Sequence, residues 1–501
     1  MTWIPRRVSA ALSIVLFGVA ACGSADSTGS SLQQADPSSD VPRHLVLVTV
    51  DTLRADHMGV YGYPRKTTPF LDGLAAEGVV FENAYSTSGT TIPSHLSMFT
   101  GLLPHQHGYL RNQSASLRPI RPVEQRPTLA EALGAAGYLT AGFVSAAPVS
   151  RRAGMHVGFE VFSDPKEASR AGTVTNKRLL RWLRGAVRKG EVGPQRPMFL
   201  WIHYWDVHEP NDPPEPYLSM FPRDAELAGI AEQRGIDPAG LSQAFDAYYR
   251  ARHFHVPLYR ERGREVTEEE VPPVSAEHVL DLLARYDGDV RSMDDAVAEV
   301  VGVLRELDLW DQTVFTLTAD HGQSLGQHNW LEHGRVTNEN VRVPWILYAP
   351  GLGPRRASGI ASTIDLGPTL AQLLGPVDIG RFVALSEGRD ALGPEGARPF
   401  ALAQRSDRQV DRNYTGTQVV LTGERWKLVY SPGTASLLYD LNADPLETTD
   451  VAREHPDVVA EWQRAAEAEL ARRPAGPGGE QAPLDSELAR ELESLGYAGD
   501  E

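Results

Sequence analysis

Apolar residues in this chain recur with two different periods. Residues 45–50 (LVLVTV) form an unbroken, β-branched apolar run that stops at Asp51, the pattern of a strand buried on both faces. Similar runs occupy 138–144, 198–202 just before His203, 313–318 leading into Asp320, and 343–348, which closes on Ala349-Pro350-Gly351. Between them the spacing turns helical. Residues 129–136 are one such stretch, and within 290–304 Val290, Met293, Val297, Val300 and Leu304 share one face. Strands alternating with helices predict an α/β domain, with a mainly parallel sheet sandwiched by helices. From about residue 398 the segments shorten. Runs at 417–421 and 426–430 followed by a helical stretch at 455–471 predict a smaller α+β carboxyl-terminal domain over 398–473, and a Gly/Pro linker with a short final helix fills 474–501.

The amino terminus has a different character. Arg6 and Arg7 precede an apolar stretch over 10–21 that ends Val19-Ala20-Ala21-Cys22. That is too short to span a bilayer, which takes about 20 apolar residues, and it has the layout of an export signal. It is similar to a bacterial lipoprotein signal, in which small residues precede a cysteine that is acylated. Cys22 is the single cysteine of the chain, so the expectation is a signal peptide over 1–21 and a lipid on Cys22. A Ser/Gly/Asp-rich tether over 22–42 follows. The protein is thus expected on the cell envelope, anchored at the outer membrane or the periplasmic face. The main domain spans 43–397, with a polar, Pro-rich insertion at about 210–273 read as lying over the site and bearing on substrate choice.

Composition narrows the chemistry. A chain of 501 residues with 42% hydrophobic residues buries a large core, and 48 basic against 65 acidic residues give a net charge of −17. This balance argues against nucleic acid as a partner. An anionic substrate would find no help from such a surface, so the site itself must supply positive charge, as a metal does.

The polar residues with chemical potential fall just past the carboxyl ends of the strands, where open α/β sheets place their ligands. In Thr91-Ile92-Pro93-Ser94-His95 the proline suits a first helical turn, which sets Thr91 at a helix start. There its hydroxyl is either a nucleophile beside free N–H groups or a simple cap. Asp320-His321-Gly322 ends a strand with a carboxylate and an imidazole, either a hydrogen-bonded turn or, with Asp51, a mixed oxygen and nitrogen set for Ca, Mg, Mn or Zn.

Taken together the motifs are more specific than any one of them. Asp51-Thr-Leu-Arg-Ala-Asp56, Tyr61-Gly-Tyr63, Thr91-x-Pro-Ser-His95, Thr100-Gly101, His107-Gly108, Asp320-His321-Gly322, Glu332-His333-Gly334, Val341-Arg342-Val343-Pro344, Asp365-Leu-Gly-Pro-Thr369 and Leu438-Tyr-Asp-Leu441 with Asp444-Pro-x-Glu447 occur in that order. The chain resembles, over nearly all of 44–460, the sulfatase-like members of the alkaline phosphatase superfamily. The resemblance implies the alkaline phosphatase-like fold and a metal-dependent hydrolase of sulfate or phosphate esters. It implies Asp51, Thr91, Asp320 and His321 as ligands of one divalent ion per chain, and Thr91 as the nucleophile. His95 would orient Thr91 or protonate the leaving group, and His208 and His333 would hold the ester. Asp206 with His208 and His333 is a less economical set for a second ion. His105 and His107 read as turn residues.

Three departures from the family pattern matter. Thr91 stands where sulfatases have the Cys or Ser that is oxidised to formylglycine, His95 where the motif has arginine, and Thr52 where it has a second acid. A threonine nucleophile resembles instead the superfamily's phosphodiesterases and phospho-headgroup transferases, so phosphodiester or phosphonate monoester hydrolysis is the alternative. A non-catalytic, surface-displayed glycan-binding protein is a second alternative, disfavoured by retention of the metal set. The expected substrate is a sulfated or phosphorylated small molecule or glycan.

Overall fold

The computed structural model describes residues 43–110, 112, 126–254, 267, 269–406 and 417–472. The expected signal, the tether with Cys22, and the final linker and helix lie outside them. Strand β1 (His44–Val50) is buried at all seven positions, which explains why its sequence shows no alternation. It lies between β5 (Met198–Tyr204) and β6 (Thr313–Ala319), parallel to both. Beyond β5 follow β3 (Leu139–Val144) and β4 (Val161–Ser163), also parallel.

The other flank is mixed. There β8 (Trp345–Tyr348) runs antiparallel to β6, and β2 (Val79–Tyr85) carries β8 and β7 (Arg342–Val343) antiparallel and β9 (Arg355–Ser362) parallel. The order is β4-β3-β5-β1-β6-β8-β2-β7, with β9 on β2. The expected single strand over 343–348 is thus two short ones. Pro344 divides them because it has no N–H for a ladder, and the Trp345 N–H that follows donates to the Tyr61 hydroxyl at 2.8 Å.

Helices cover both faces of this sheet. The longest, Ala276–Glu306, starts at Ser275, whose hydroxyl accepts from the His278 N–H, and the stripe of Val290, Met293, Val297, Val300 and Leu304 is buried throughout. The insertion is helical within its described part. Helices Ala225–Gln233 and Pro238–Ala244 are capped by the Asp224 and Asp237 side chains, and Ala247–Phe254 follows. No described helix is long and apolar enough to cross a membrane.

A second, antiparallel sheet is formed by β10 (Ala401–Ser406), β11 (Thr417–Thr422), β12 (Trp426–Tyr430) and β13 (Leu437–Asp440), in that order, with helix Pro456–Ala471 packed on β11 and β12. It is fixed to the large sheet by a fully buried lysine. Lys427 Nζ donates to Glu447 Oε1 at 2.7 Å and to Asn338 Oδ1 at 3.1 Å, and the Asn338 N–H reaches the same Glu447 oxygen at 3.0 Å.

Candidate active site

Three adjacent central strands, β5, β1 and β6, end at one place. Register pairs Val50 with Tyr204 and with Ala319, so Asp51, just past β1, and Asp320-His321, just past β6, emerge side by side. The chain leaving β1 turns sharply. Thr52 adopts φ 57°, a left-handed conformation that a β-branched residue takes only when its surroundings impose it. Its N–H donates to Asp320 Oδ1 at 3.3 Å, and its carbonyl accepts from the Tyr286 hydroxyl at 2.8 Å. Arg54 completes the turn, donating to both Asp56 oxygens and to the Gln323 carbonyl.

Helix Thr91–Thr100, buried at all ten positions, aims its first residue at this point. The Thr91 hydroxyl lies 3.4 Å from His321 Nε2. His321 Nδ1 faces the Gly322 carbonyl at 3.0 Å; a carbonyl only accepts, so that nitrogen carries the proton and Nε2 presents a lone pair. Ligand atoms of Asp51, Asp320 and His321 all lie within 4.8 Å of one another.

Two facts make this a site and not a packed turn. Asp51 Oδ1 and Oδ2 and Asp320 Oδ2 are buried with no well-formed hydrogen bond among the described residues, although the Thr91 hydroxyl approaches Asp51, a costly state that an external partner would relieve. Burial, and then each other's charge, raise Asp51 well above the usual carboxylate range. Burial likewise raises Asp320 to about 6, against the pull of His95, and it lowers His321 well below the ordinary histidine value, with His333 adding to the effect. Acids held up and a neutral imidazole are what a cation-binding pocket shows before the cation's charge is counted. The donor set of carboxylate, hydroxyl and imidazole fits a divalent metal.

His95 sits one helical turn beyond Thr91. Its Nδ1 donates to the Thr91 carbonyl at 2.9 Å, and its Nε2 accepts from the Thr49 hydroxyl at 3.1 Å, which in turn accepts from the Trp201 indole at 2.9 Å. Both ring nitrogens are therefore engaged, and Nδ1 also lies 3.6 Å from Asp320 Oδ2. This arrangement suits holding Thr91, not protonating a leaving group.

His208 and His333 do meet, with their Nε2 atoms 3.2 Å apart, and the His333 ring stacks near His321 at 4.6 Å between centroids. The segment carrying His333 is held by Gly89, whose carbonyl accepts from the Gly334 N–H at 2.7 Å; a Cβ on Gly89 would fall 2.3 Å from the Arg335 carbonyl oxygen. Asp206 does not join them. Its two oxygens accept from the Gly172 N–H at 2.9 and 3.0 Å, at the start of helix Gly172–Arg188. Glu209 takes the place expected of Asp206, with an oxygen within 4.8 Å of the His208 and His333 nitrogens. His107 bonds Ser97 and the Tyr109 N–H, and His105 bonds the Glu469 carbonyl, so both serve the turn.

Sequence reasoning missed four residues here, Glu209 among them. Asn112 accepts from the Ile92 N–H at 2.7 Å and donates to Thr91 Oγ1 at 3.2 Å. His203, at the end of β5, is buried with Nε2 3.5 Å from Asp51 Oδ2; its position just after an apolar run was a usable signal. Arg252, from the insertion, reaches Glu209 at 2.9 Å and Glu332 at 3.1 Å. Glu209 and Glu332 immediately flank His208 and His333 in the chain, so the insertion clamps both histidine segments.

Comparison with known proteins assigns the family and the fold. A family model described as Sulfatase matches residues 43–376. The multifunctional alkaline phosphatase superfamily protein PehA of Trinickia caryophylli is 26% identical, over 82% of this chain and 91% of its own length. An arylsulfatase of Clostridium perfringens is 23% identical, over 81% and 90%. Among solved structures, the phosphonate monoester hydrolase of Agrobacterium radiobacter superposes with a TM-score of 0.64 at 21% identity, covering 86% of this chain and 96% of that one.

Proposed function

The chain belongs to the sulfatase family and is an ester-bond hydrolase of the sulfate and phosphate ester type; from that premise we propose that it is metal-dependent and uses Thr91 itself, unmodified, as the nucleophile. One observation carries this reading. The Thr91 hydroxyl stands 3.4 Å from the lone pair of His321, beside buried oxygens of Asp51 and Asp320 with no well-formed hydrogen bond among the described residues. Asp51, Asp320, His321 and Thr91 would hold a divalent ion. Such an ion supplies positive charge that favours the Thr91 alkoxide and offsets the charge of the ester.

The residues of the chain do the rest. Asn112 and His95 fix Thr91 from its hydroxyl and its carbonyl respectively. In attack, Thr91 gives up its hydroxyl proton to solvent, a bond forms from its Oγ to sulfur or phosphorus, and the bond to the alcohol oxygen breaks, that oxygen keeping the electron pair and taking a proton from water. Water then hydrolyses the sulfo- or phospho-threonine. His208 and His333, next to His321, would hold the anionic oxygens of the ester.

Threonine favours phosphodiesters and phosphonate monoesters over sulfate monoesters, because no formylglycine hydrate can form on a residue with a β-methyl. A sulfated or phosphorylated small molecule or glycan is the substrate class. The lipid expected on Cys22 would hold the enzyme at the cell envelope, a part of the proposal that rests on residues 1–22 alone. The test is a side-by-side assay of aryl sulfates, phosphate monoesters, phosphodiesters and phosphonates on chelator-treated protein with single metals restored. Metal-dependent turnover, highest on the phosphorus diesters, is expected. Equal activity with and without chelator would sink the metal requirement.

A further inference from the structure

The pairing of His208 with His333 has a feature that an ordinary pair of substrate-binding histidines would not show. His208 Nδ1 faces the Glu209 carbonyl at 2.7 Å, and His333 Nδ1 faces the Gly89 carbonyl at 3.2 Å. Carbonyl oxygens accept and never donate, so both Nδ1 atoms carry protons, and Nε2 is the ring atom each histidine has left for a ligand or a shared proton. Those two Nε2 atoms face each other at 3.2 Å. At that distance either one ring donates a proton to the other or a bound cation takes both lone pairs.

Glu209 closes the group, with one oxygen of its carboxylate within 4.8 Å of both ring nitrogens. Its own oxygens are oriented by Arg252 at 2.9 Å and by the Gln323 amide at 3.0 Å, as carboxylate ligands commonly are by a surrounding shell. Charge points the same way. Asp51 and Asp320 lie in one ligand group and Glu209 in the other, and Arg252 touches Glu209 and Glu332, the latter also 3.5 Å from His253. Carboxylates therefore outnumber guanidinium groups around these residues. An anionic ester needs the opposite sign.

We propose that His208, Glu209 and His333 form a second cation site, for a nitrogen-preferring divalent transition ion of the zinc class. Two imidazoles and one carboxylate suit such an ion better than calcium or magnesium, and three protein ligands leave a position open for an ester oxygen. The inference rests on the reading of the site as an ester hydrolase and adds the means by which His208 and His333 hold an anion. It also replaces the expectation of a single ion per chain.

The experiment is metal counting on the full chain. Protein stripped with chelator and dialysed against zinc is analysed by mass spectrometry, alongside titration with cobalt followed by visible absorption. Two ions per chain are expected, with cobalt absorption saturating at two equivalents, and one ion lost in either His333→Gln or Asp51→Asn. Should His333→Gln fail to fold, His208→Gln replaces it, and the wild-type cobalt titration needs no variant. A single ion that survives His333→Gln and disappears in Asp51→Asn overturns the second site, as does saturation at one equivalent, while leaving the proposed function standing. Failure of that function reads differently: no ester is turned over at any metal loading.

Discussion

Two clusters of charged side chains are equally buried in this molecule, and only one of them is complete. Lys427, Glu447 and Asn338 satisfy one another at the junction of the two sheets, with contacts of 2.7 to 3.1 Å. Asp51, Asp320 and His203 at the carboxyl end of the large sheet leave five side-chain atoms with no well-formed hydrogen bond among the described residues. Both clusters carry the desolvation cost of buried charge. The difference teaches that the first recovers that cost inside the fold, while the second defers it to whatever binds. Completed clusters belong to stability, and incomplete ones to function.

The sharpest way to break this distinction is to change each cluster and read both activity and melting. Thr91→Ala removes the atom that the incomplete cluster surrounds and is expected to lower kcat roughly ten-thousandfold with the melting temperature little changed. Lys427→Met should do the reverse. It leaves Glu447 buried without a counter-charge and should cost about 3–5 kcal/mol, read as a lowered urea midpoint, while kcat of the folded fraction stays near wild type. The double change Lys427→Met with Glu447→Leu should recover most of that loss. If Thr91→Ala destabilises as much as Lys427→Met, the two clusters are not different in kind.

The same contrast explains what was legible in the sequence. Strands β1, β5 and β6 were readable because each is buried on both faces, so its whole signal lies within seven consecutive residues. The proposed ligands Asp51, Asp320 and His321 follow those strands directly. Strand β2 was missed because its middle, Glu82 and Asn83, is only partly buried and breaks the apolar run. Asn112, Glu209 and Arg252 were missed for another reason. Their roles depend on partners brought by the fold, such as Glu332 for Arg252, and no local period records that. The exchange of Asp206 for Glu209 is of this type. Both acids lie in one turn, and which of them faces His208 is decided by backbone direction, not by residue type.

An intermediate effect comes from pH and from metal removal. Burial raises Asp320 to about 6 from an ordinary 3.8, so between those values the folded metal-free protein binds more protons than the unfolded chain. Its stability therefore falls as pH rises through that window, by about 2–3 kcal/mol, and is largest where Asp320 is protonated. Metal reverses the sign, because ligation requires the carboxylate and strengthens as the proton leaves. Melting curves of chelated and metal-loaded protein from about pH 3.5 to about pH 6.5 should diverge as pH rises through that window. Parallel curves would mean that the incomplete cluster does not bind the ion.

The smallest expected effect separates positioning from mere contact. Asn112 accepts from the Ile92 N–H, an otherwise unpaired donor of the first helical turn, and donates to Thr91 Oγ1. Asn112→Ala removes one hydrogen bond at each end and should lower kcat/KM by about five- to tenfold, the scale of roughly 1 kcal/mol per bond. Asn112→Asp keeps the acceptor for Ile92 but replaces the donor with a carboxylate. The Thr91 hydroxyl would then donate to that new carboxylate and turn its proton away from reaction, while a further negative charge enters a cavity already rich in carboxylates. The aspartate variant should therefore be slower than the alanine variant, although it is closer in shape and preserves the helix cap. If the two are equally active, Asn112 supports the helix alone and the orientation of the nucleophile is set elsewhere.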